Sequence, residues 1–348
     1  MEGYVVFIFL LLAAGLIKNK NHQLIFMFIV ITIISGLRYG IGYDYYAYLE
    51  SASGLRSFEN VEPIPYVLLE LSNETIPFLF FFLSSIFISF FYALGIHRGG
   101  SDYYMETFFY VCFPFLFLNQ LGIIRQGMAT AVILLAITMH KDKLYKRLIL
   151  IILAYLCHQS ALVCLLILFP WEKVSVKTLW ALLFLGFISS FVLIPIITNI
   201  VATGFLGDTG TGKAMNYLGE EGHSEGQLLQ YLVYLIGIAV LLLYHKLVKL
   251  NRENAYYISL IILGVSFFAL FSFNISLSKR FCMLFFSPAI FVVPQIVKVL
   301  RIPRSIYLFV CILLFSLTIY VGSSQVRDGD SHGSSVTYPY RTIFEFLN

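Results

Sequence analysis

A succession of apolar runs, several of them near twenty residues, limits this chain more than any other feature. The runs cover residues 4–17, 24–36, 76–96, 106–118, 124–139, 148–169, 176–202, 228–244, 255–273, 281–297 and 305–321. A helix of about twenty apolar residues matches the bilayer's hydrocarbon thickness, and a backbone in lipid must satisfy its own hydrogen bonds. The pattern therefore predicts an all-α polytopic membrane protein with about 10–12 transmembrane helices. Composition agrees: 12% of residues are charged, against roughly 25% in a soluble domain.

Residues 1–348 read as a single integral membrane domain, with external loops at 37–75 and 203–226 and an external tail at 322–348. The first apolar run has no basic residue ahead of it, so it is expected to stay as a span and not to be cleaved. All five cysteines (Cys112, Cys157, Cys164, Cys282, Cys311) lie inside apolar runs without CxxC spacing. They read as small core residues, not as disulfides or metal ligands. The net charge of +4 is small and sits in particular loops, and nothing in it points to nucleic acid.

Basic clusters set the sidedness, because loops rich in Lys and Arg stay in the cytoplasm. Four occur: Lys18/Lys20, Lys141/Lys143/Lys146/Arg147, His245/Lys246/Lys249/Arg252 and Lys298/Arg301/Arg304. If every run crossed once, parity would fail between Arg147 and residue 203. One run must then enter and leave on the same side. Run 148–169, broken around His158, is preferred over run 176–202, which contains Pro195. With that break, loop 37–75, the NQLGIIRQ hinge, His158, residues 274–280 and the tail all face one external side.

The chemistry-bearing residues sit at that face. Residues 35–50, SGLRYGIGYDYYAYLE, hold Arg38, Asp44 and five tyrosines, interrupted by Gly40 and Gly42. An arginine, a carboxylate and phenol rings such as Tyr39, Tyr43 and Tyr45 suit a lipid-linked, phosphorylated, sugar-bearing ligand. On spacing alone they suit an interfacial aromatic belt better, with Arg38 snorkelling and Asp44 bonding a local turn. Arg125 stands at the start of a span beside free helix N–H groups, a place that favours an anion. His158 can accept a proton near neutral pH, or can simply pack inside its helix. Arg280, after Lys279, lies against the positive-inside trend, which pyrophosphate binding would explain, as would pairing with an acidic loop. No second His, Cys or carboxylate stands at ligand spacing near His158, so a metal is not expected there. The run GDTGTGK at 207–213 has the spacing of a phosphate-binding loop but lacks a preceding strand, and Ala214 replaces its Ser/Thr.

The ordered set RYGIGYDYYAY, LNQLGIIRQGMATAVILL, HQSAL at His158, SKRFCMLFF and Tyr338-Pro-Tyr340 resembles the EpsG family of Wzy-like polysaccharide polymerases. The resemblance implies a GT-C-like glycosyltransferase of the bacterial inner membrane, active on its periplasmic face and needing no nucleotide or metal cofactor. It would pass a growing glycan of O-antigen, capsule or exopolysaccharide from polyprenyl pyrophosphate to a lipid-linked repeat unit. The implied partners are the lipid-linked oligosaccharide donor and acceptor, membrane lipid and a chain-length regulator protein. On this reading Arg38, Arg125 and Arg280 bind pyrophosphate, and His158 or Asp44 accepts the acceptor's proton. Tyr39, Tyr43, Tyr45, Tyr338 and Tyr340 would hold the glycan. A lipid-linked glycan flippase and an O-antigen ligase share these expectations in part.

Overall fold

A computed structural model describes residues 2–42, 44–57, 61–72, 76–202, 224–327 and 340–344. Tyr43, Tyr338, the 207–213 run, most of loop 203–226 and much of the tail lie outside the described residues. Two compact units form, Met1–Leu168 with Leu300–Asn348, and Phe169–Val299. The apolar pattern does not mark this division.

The first unit is built from α1 (Glu2–Ala13), α2 (Lys20–Gly36), α3 (Tyr45–Ala52), α4 (Pro63–Ser72) and α5 (Leu79–Gly99), followed by α6 (Tyr103–Cys112), α7 (Phe117–Gly122), α8 (Ile124–Thr138) and α9 (Leu144–Cys157). Helix Arg304–Arg327 returns to pack on α6. Helices α2, α5, α8 and α9 pack in that order, each against the next. Phe80, Phe81 and Tyr92 of α5 and Met128 through Leu134 of α8, Thr130 included, are fully or almost fully buried between them. The second unit centres on helix Asn254–Leu270, which contacts Val176–Ala202 and Ile275–Phe286. Small residues let these backbones meet: a Cβ on Gly186 would stand 2.7 Å from the Ser266 carbonyl oxygen, as close helix approach in lipid requires.

Leu79–Gly99 and Arg304–Val321 are long and apolar enough to cross a membrane alone. Tyr231–Leu242 with Tyr244–Leu250, and Ser276–Phe286 with Ala289–Val299, would each do so as a bent pair, at 71° and 68°. The all-α polytopic class therefore holds. Among the described residues, other apolar runs form shorter helices of 10–17 residues, such as Lys20–Gly36, Ile124–Thr138 and Asn254–Leu270.

The 148–169 run breaks at His158, the break preferred from the sequence. Helix α9 stops at Cys157, and His158 is extended at φ −161°, ψ 128°. A 3-10 segment, Gln159–Leu168, then runs back along α9. Arg147, in the first turn of α9, donates to the Ile167 carbonyl, so the two ends of the segment meet and His158 forms the tip of a hairpin.

Polar groups of this unit collect at two opposite ends of the helices. At one end Arg304 pairs with Asp102 at 3.3 Å, Arg98 with Asp142 at 2.6 Å, and Lys20 reaches the Ser101 carbonyl at 3.4 Å. The other ends of α2, α5, α8 and α9 carry Arg38, Phe78, Arg125 and His158. The site lies there.

Candidate functional site

The loop leaving α2 is shaped by two glycines. Gly40 has φ +69° and Gly42 has φ +116°, backbone that side chains resist. A Cβ on Gly42 would collide with the Leu121 carbonyl oxygen. The missing side chain lets the loop rest directly on the turn between α7 and α8. The Asp44 N–H donates to the Gly122 carbonyl at 3.3 Å. Two stretches that the sequence offers separately, RYGIGYDYYAY and NQLGIIRQ, thus form one structure.

Arg38 locks this junction. Its side chain is 2% exposed and donates from Nε to Ile41 O at 3.2 Å, from Nη1 to Ser35 O and from Nη2 to Leu121 O at 3.3 Å. The guanidinium also lies 5.2 Å from the centre of the Phe81 ring. Burial lowers its pKa to about 10, with nearby Tyr45 opposing the shift, so it stays charged at neutral pH. Tyr45 is fully buried, stacked on Phe81 at 4.2 Å, with its hydroxyl donating to Arg38 O at 3.3 Å. Residues Arg38–Tyr39 form a short strand, β1, antiparallel to β2 at Arg341–Thr342. Tyr340, just before β2, donates to Ile34 O at 2.9 Å, and its ring lies 5.1 Å from that of Tyr4. Tyr39 packs edge-on to Tyr45 at 5.8 Å. The C-terminal strand therefore straps down the loop that Arg38 holds from beneath.

Beside this scaffold, one carboxylate gathers three segments. Glu62, immediately before α4, is buried at 6% exposure. Its Oε2 accepts from Arg125 Nη1 at 2.6 Å, and its Oε1 lies 2.7 Å from His158 Nδ1. The Gln159 backbone N–H donates to the same Oε1 at 3.2 Å. A second link runs alongside, from the Ser160 hydroxyl to Gln126 Oε1 at 2.8 Å. The Tyr48 hydroxyl hydrogen-bonds Arg125, and Asp44 is close enough to Tyr48 to act on it electrostatically. Burial alone would raise the pKa of the Glu62 carboxyl; the His158 hydrogen bond and the Arg125 charge outweigh it and bring it down to about 2. Glu62 is therefore an anion across the physiological range.

The residues that the sequence singles out thus fall into separate places. Arg125, His158 and Asp44 converge on the Glu62–Tyr48 cluster. Arg38, Tyr39, Tyr45 and Tyr340 form the adjoining scaffold. Arg280 is half-buried on helix Ile275–Phe286, which Asn274 caps by accepting from Leu277 N at 2.7 Å, and belongs to the second unit. Among the described residues no group of three His, Cys, Asp or Glu side chains is gathered as metal ligands would be.

Glu62 does not stand out in the sequence, where it is one of several acids in a polar loop. One local signal was available: it directly precedes Pro63, and a proline at the first helical position marks an ordered helix start. Arg125 keeps 30% of its side chain exposed and His158 keeps 17%. A cation and an imidazole are therefore reachable, and both are held by an anion behind them. Such a cluster can stabilise negative charge on one group while accepting a proton from another.

No curated protein and no solved structure matches this chain significantly. The family model of the EpsG family matches residues 21–342, nearly the whole sequence and every segment of the site. The chain belongs to the EpsG family, and with it to proteins of a polysaccharide-polymerase type.

Proposed function

We propose that this protein polymerises a bacterial surface glycan, transferring the growing chain from polyprenyl pyrophosphate to the non-reducing-end hydroxyl of a lipid-linked repeat unit. The observation that carries the reading is the meeting of Arg125 and His158 on Glu62, at 2.6 and 2.7 Å. The leaving group is a lipid pyrophosphate, whose developing charge needs a fixed cation. The attacking hydroxyl must lose a proton, and His158 and Asp44 are the candidates for taking it.

The site lies at the helix ends opposite the Lys20, Arg98 and Arg304 clusters. The positive-inside bias puts those clusters in the cytoplasm, so the reaction is assigned to the periplasmic face of the inner membrane. Arg38 is read as the clamp that fixes the site's loop, and Arg280, on the second unit, is kept as a candidate pyrophosphate ligand. The test is incubation of purified protein with lipid-linked repeat unit alone. A ladder of lengthened lipid-linked products is expected. Movement of the substrate across the bilayer without lengthening, or transfer only when a lipid A core acceptor is added, would replace the reading with a flippase or a ligase.

A further inference from the structure

We propose that Glu62 is the positioning residue of the site: it fixes His158 with the proton on Nδ1, which leaves Nε2 as the atom that takes the acceptor's proton. This deepens the glycosyl-transfer reading and rests on it for the reaction, but not for the state of the imidazole.

The argument is geometric. Glu62 Oε1 stands 2.7 Å from His158 Nδ1, and Oε2 stands 2.6 Å from Arg125 Nη1. A carboxylate tied to a guanidinium is ionised and can only accept. The hydrogen shared with His158 therefore belongs to Nδ1. A neutral imidazole that carries its hydrogen there has a lone pair on Nε2. The Gln159 N–H holds the same Oε1 at 3.2 Å, so the carboxylate cannot turn without losing a second bond. The extended backbone of His158, between α9 and the 3-10 segment, places the ring at the hairpin tip. Because the carboxylate spans both groups, it also sets the spacing between the cation and the proton acceptor.

In the reaction, the acceptor hydroxyl oxygen attacks the donor's anomeric carbon. The bond from that carbon to the pyrophosphate oxygen breaks, and its electron pair leaves with the lipid pyrophosphate. The hydroxyl proton passes to Nε2, giving an imidazolium whose Nδ1–H already faces the Glu62 carboxylate. That carboxylate stabilises the new positive charge and never takes the proton. Release of the proton to solvent resets the site.

The experiment has two arms. In the first, full-length protein with 15N-labelled histidine is studied in detergent or lipid, and a His158→Gln variant identifies which of the seven histidine signals belongs to His158. The neutral imidazole is expected to carry its hydrogen on Nδ1 in the native protein, and to lose that preference in Glu62→Gln. A native ring protonated on Nε2 overturns the proposal whatever the activity turns out to be. The second arm is steady-state kinetics on lipid-linked repeat unit. Glu62→Gln is expected to lower kcat by about 10²-fold or more, the usual share of a general base, with a much smaller change in KM. A loss confined to KM would make Glu62 a binding residue and overturn the proposal. If the native protein shows the Nδ1–H imidazole but never lengthens the substrate, the polymerase reading fails and the positioning of His158 stands.

Discussion

Arg147 and Ile167 meet across a buried hydrogen bond, guanidinium Nη2 to backbone carbonyl, although twenty residues separate them. The bond closes the hairpin whose tip is His158, so an apolar run of span length folds back on itself. A second bond from Nη1 to the His140 carbonyl, at 3.4 Å, ties the hairpin base to the end of α8. Arg147→Ala should therefore loosen the hairpin and cost about 1.5–3 kcal/mol, the usual range for a hydrogen bond from a charged group. Thermal melting in detergent measures it. A melting temperature equal to the native one would mean that helix packing alone closes the hairpin.

A hairpin at 148–169 predicts the sidedness of the segments that flank it. Cysteines introduced at Lys143 and Glu172 should label from the same face of the membrane, and one at Leu55 from the opposite face. Leu55 is 81% exposed, and the five native cysteines are buried, so background labelling should be low. Labelling of positions 143 and 172 from opposite faces would mean that 148–169 is an ordinary span.

Gly42→Ala tests the contact between the two motif-bearing loops. With φ at +116° and the Leu121 carbonyl oxygen in the way of the added Cβ, the alanine must either strain the backbone or lift the loop. Backbone strain of this kind costs on the order of 1–3 kcal/mol. The expected result is a lower melting temperature together with reduced glycan length, since Asp44 and Tyr48 follow the loop. Native behaviour in both measurements would show that the loop can shift without disturbing the site.

The sequence made some of this architecture legible and hid the rest, for physical reasons. Charge bias is a rule that reads from a single chain. Four basic clusters were enough to expect a break near His158, which the extended His158 backbone provides. Arg125 and His158 were visible because polar groups in apolar runs are rare. Glu62 was not, because an acid in a polar loop is ordinary, and nothing local indicates partners 63 and 96 residues away. Arg38 was visible for the right residue type but open in role. Whether an arginine faces a ligand or backbone carbonyls depends on the α7–α8 turn docking beneath it. The tyrosines were similar: an aromatic cluster reads as an interface, and only packing shows that Tyr45 is buried against Phe81 while Tyr46 stays 43% exposed.

The Glu62 carboxyl predicts a stability profile at acid pH. Its folded pKa is about 2 against an ordinary 4.5, so the folded state favours the anion. The resulting stability is fully present above about pH 4.5 and is lost as the pH falls toward 2. Glu62→Gln has no such proton to bind. The native protein's advantage over Glu62→Gln in melting temperature should shrink as the pH falls from about 4.5 toward 2. An advantage that did not change between about pH 5 and about pH 2.5 would be incompatible with a carboxylate anchored by Arg125 and His158.

The arginines offer the sharpest comparison, because exposure already separates them. Arg125 keeps 30% of its side chain open and gives one Nη1 bond to Glu62, which leaves donors for a phosphate. Arg38 is 2% exposed, and its Nε, Nη1 and Nη2 all donate to backbone carbonyls. Lysine keeps the charge of either but replaces a planar fork with a single ammonium. Arg125→Lys should therefore fold normally and slow polymerisation by roughly 10²–10³-fold, the cost of losing a donor aimed at developing charge. Arg38→Lys should do the reverse: one ammonium cannot reach three carbonyls, so the protein melts at a lower temperature while the rate per folded molecule changes far less. Arg280→Lys, on the second unit, should follow the Arg125 pattern if it meets pyrophosphate. Glycan length, protein level and melting temperature, read together for the three variants, separate these outcomes. An Arg125→Lys variant that made normal-length glycan at a normal rate would reduce Arg125 to a structural partner of Glu62, and pyrophosphate would have to be held elsewhere.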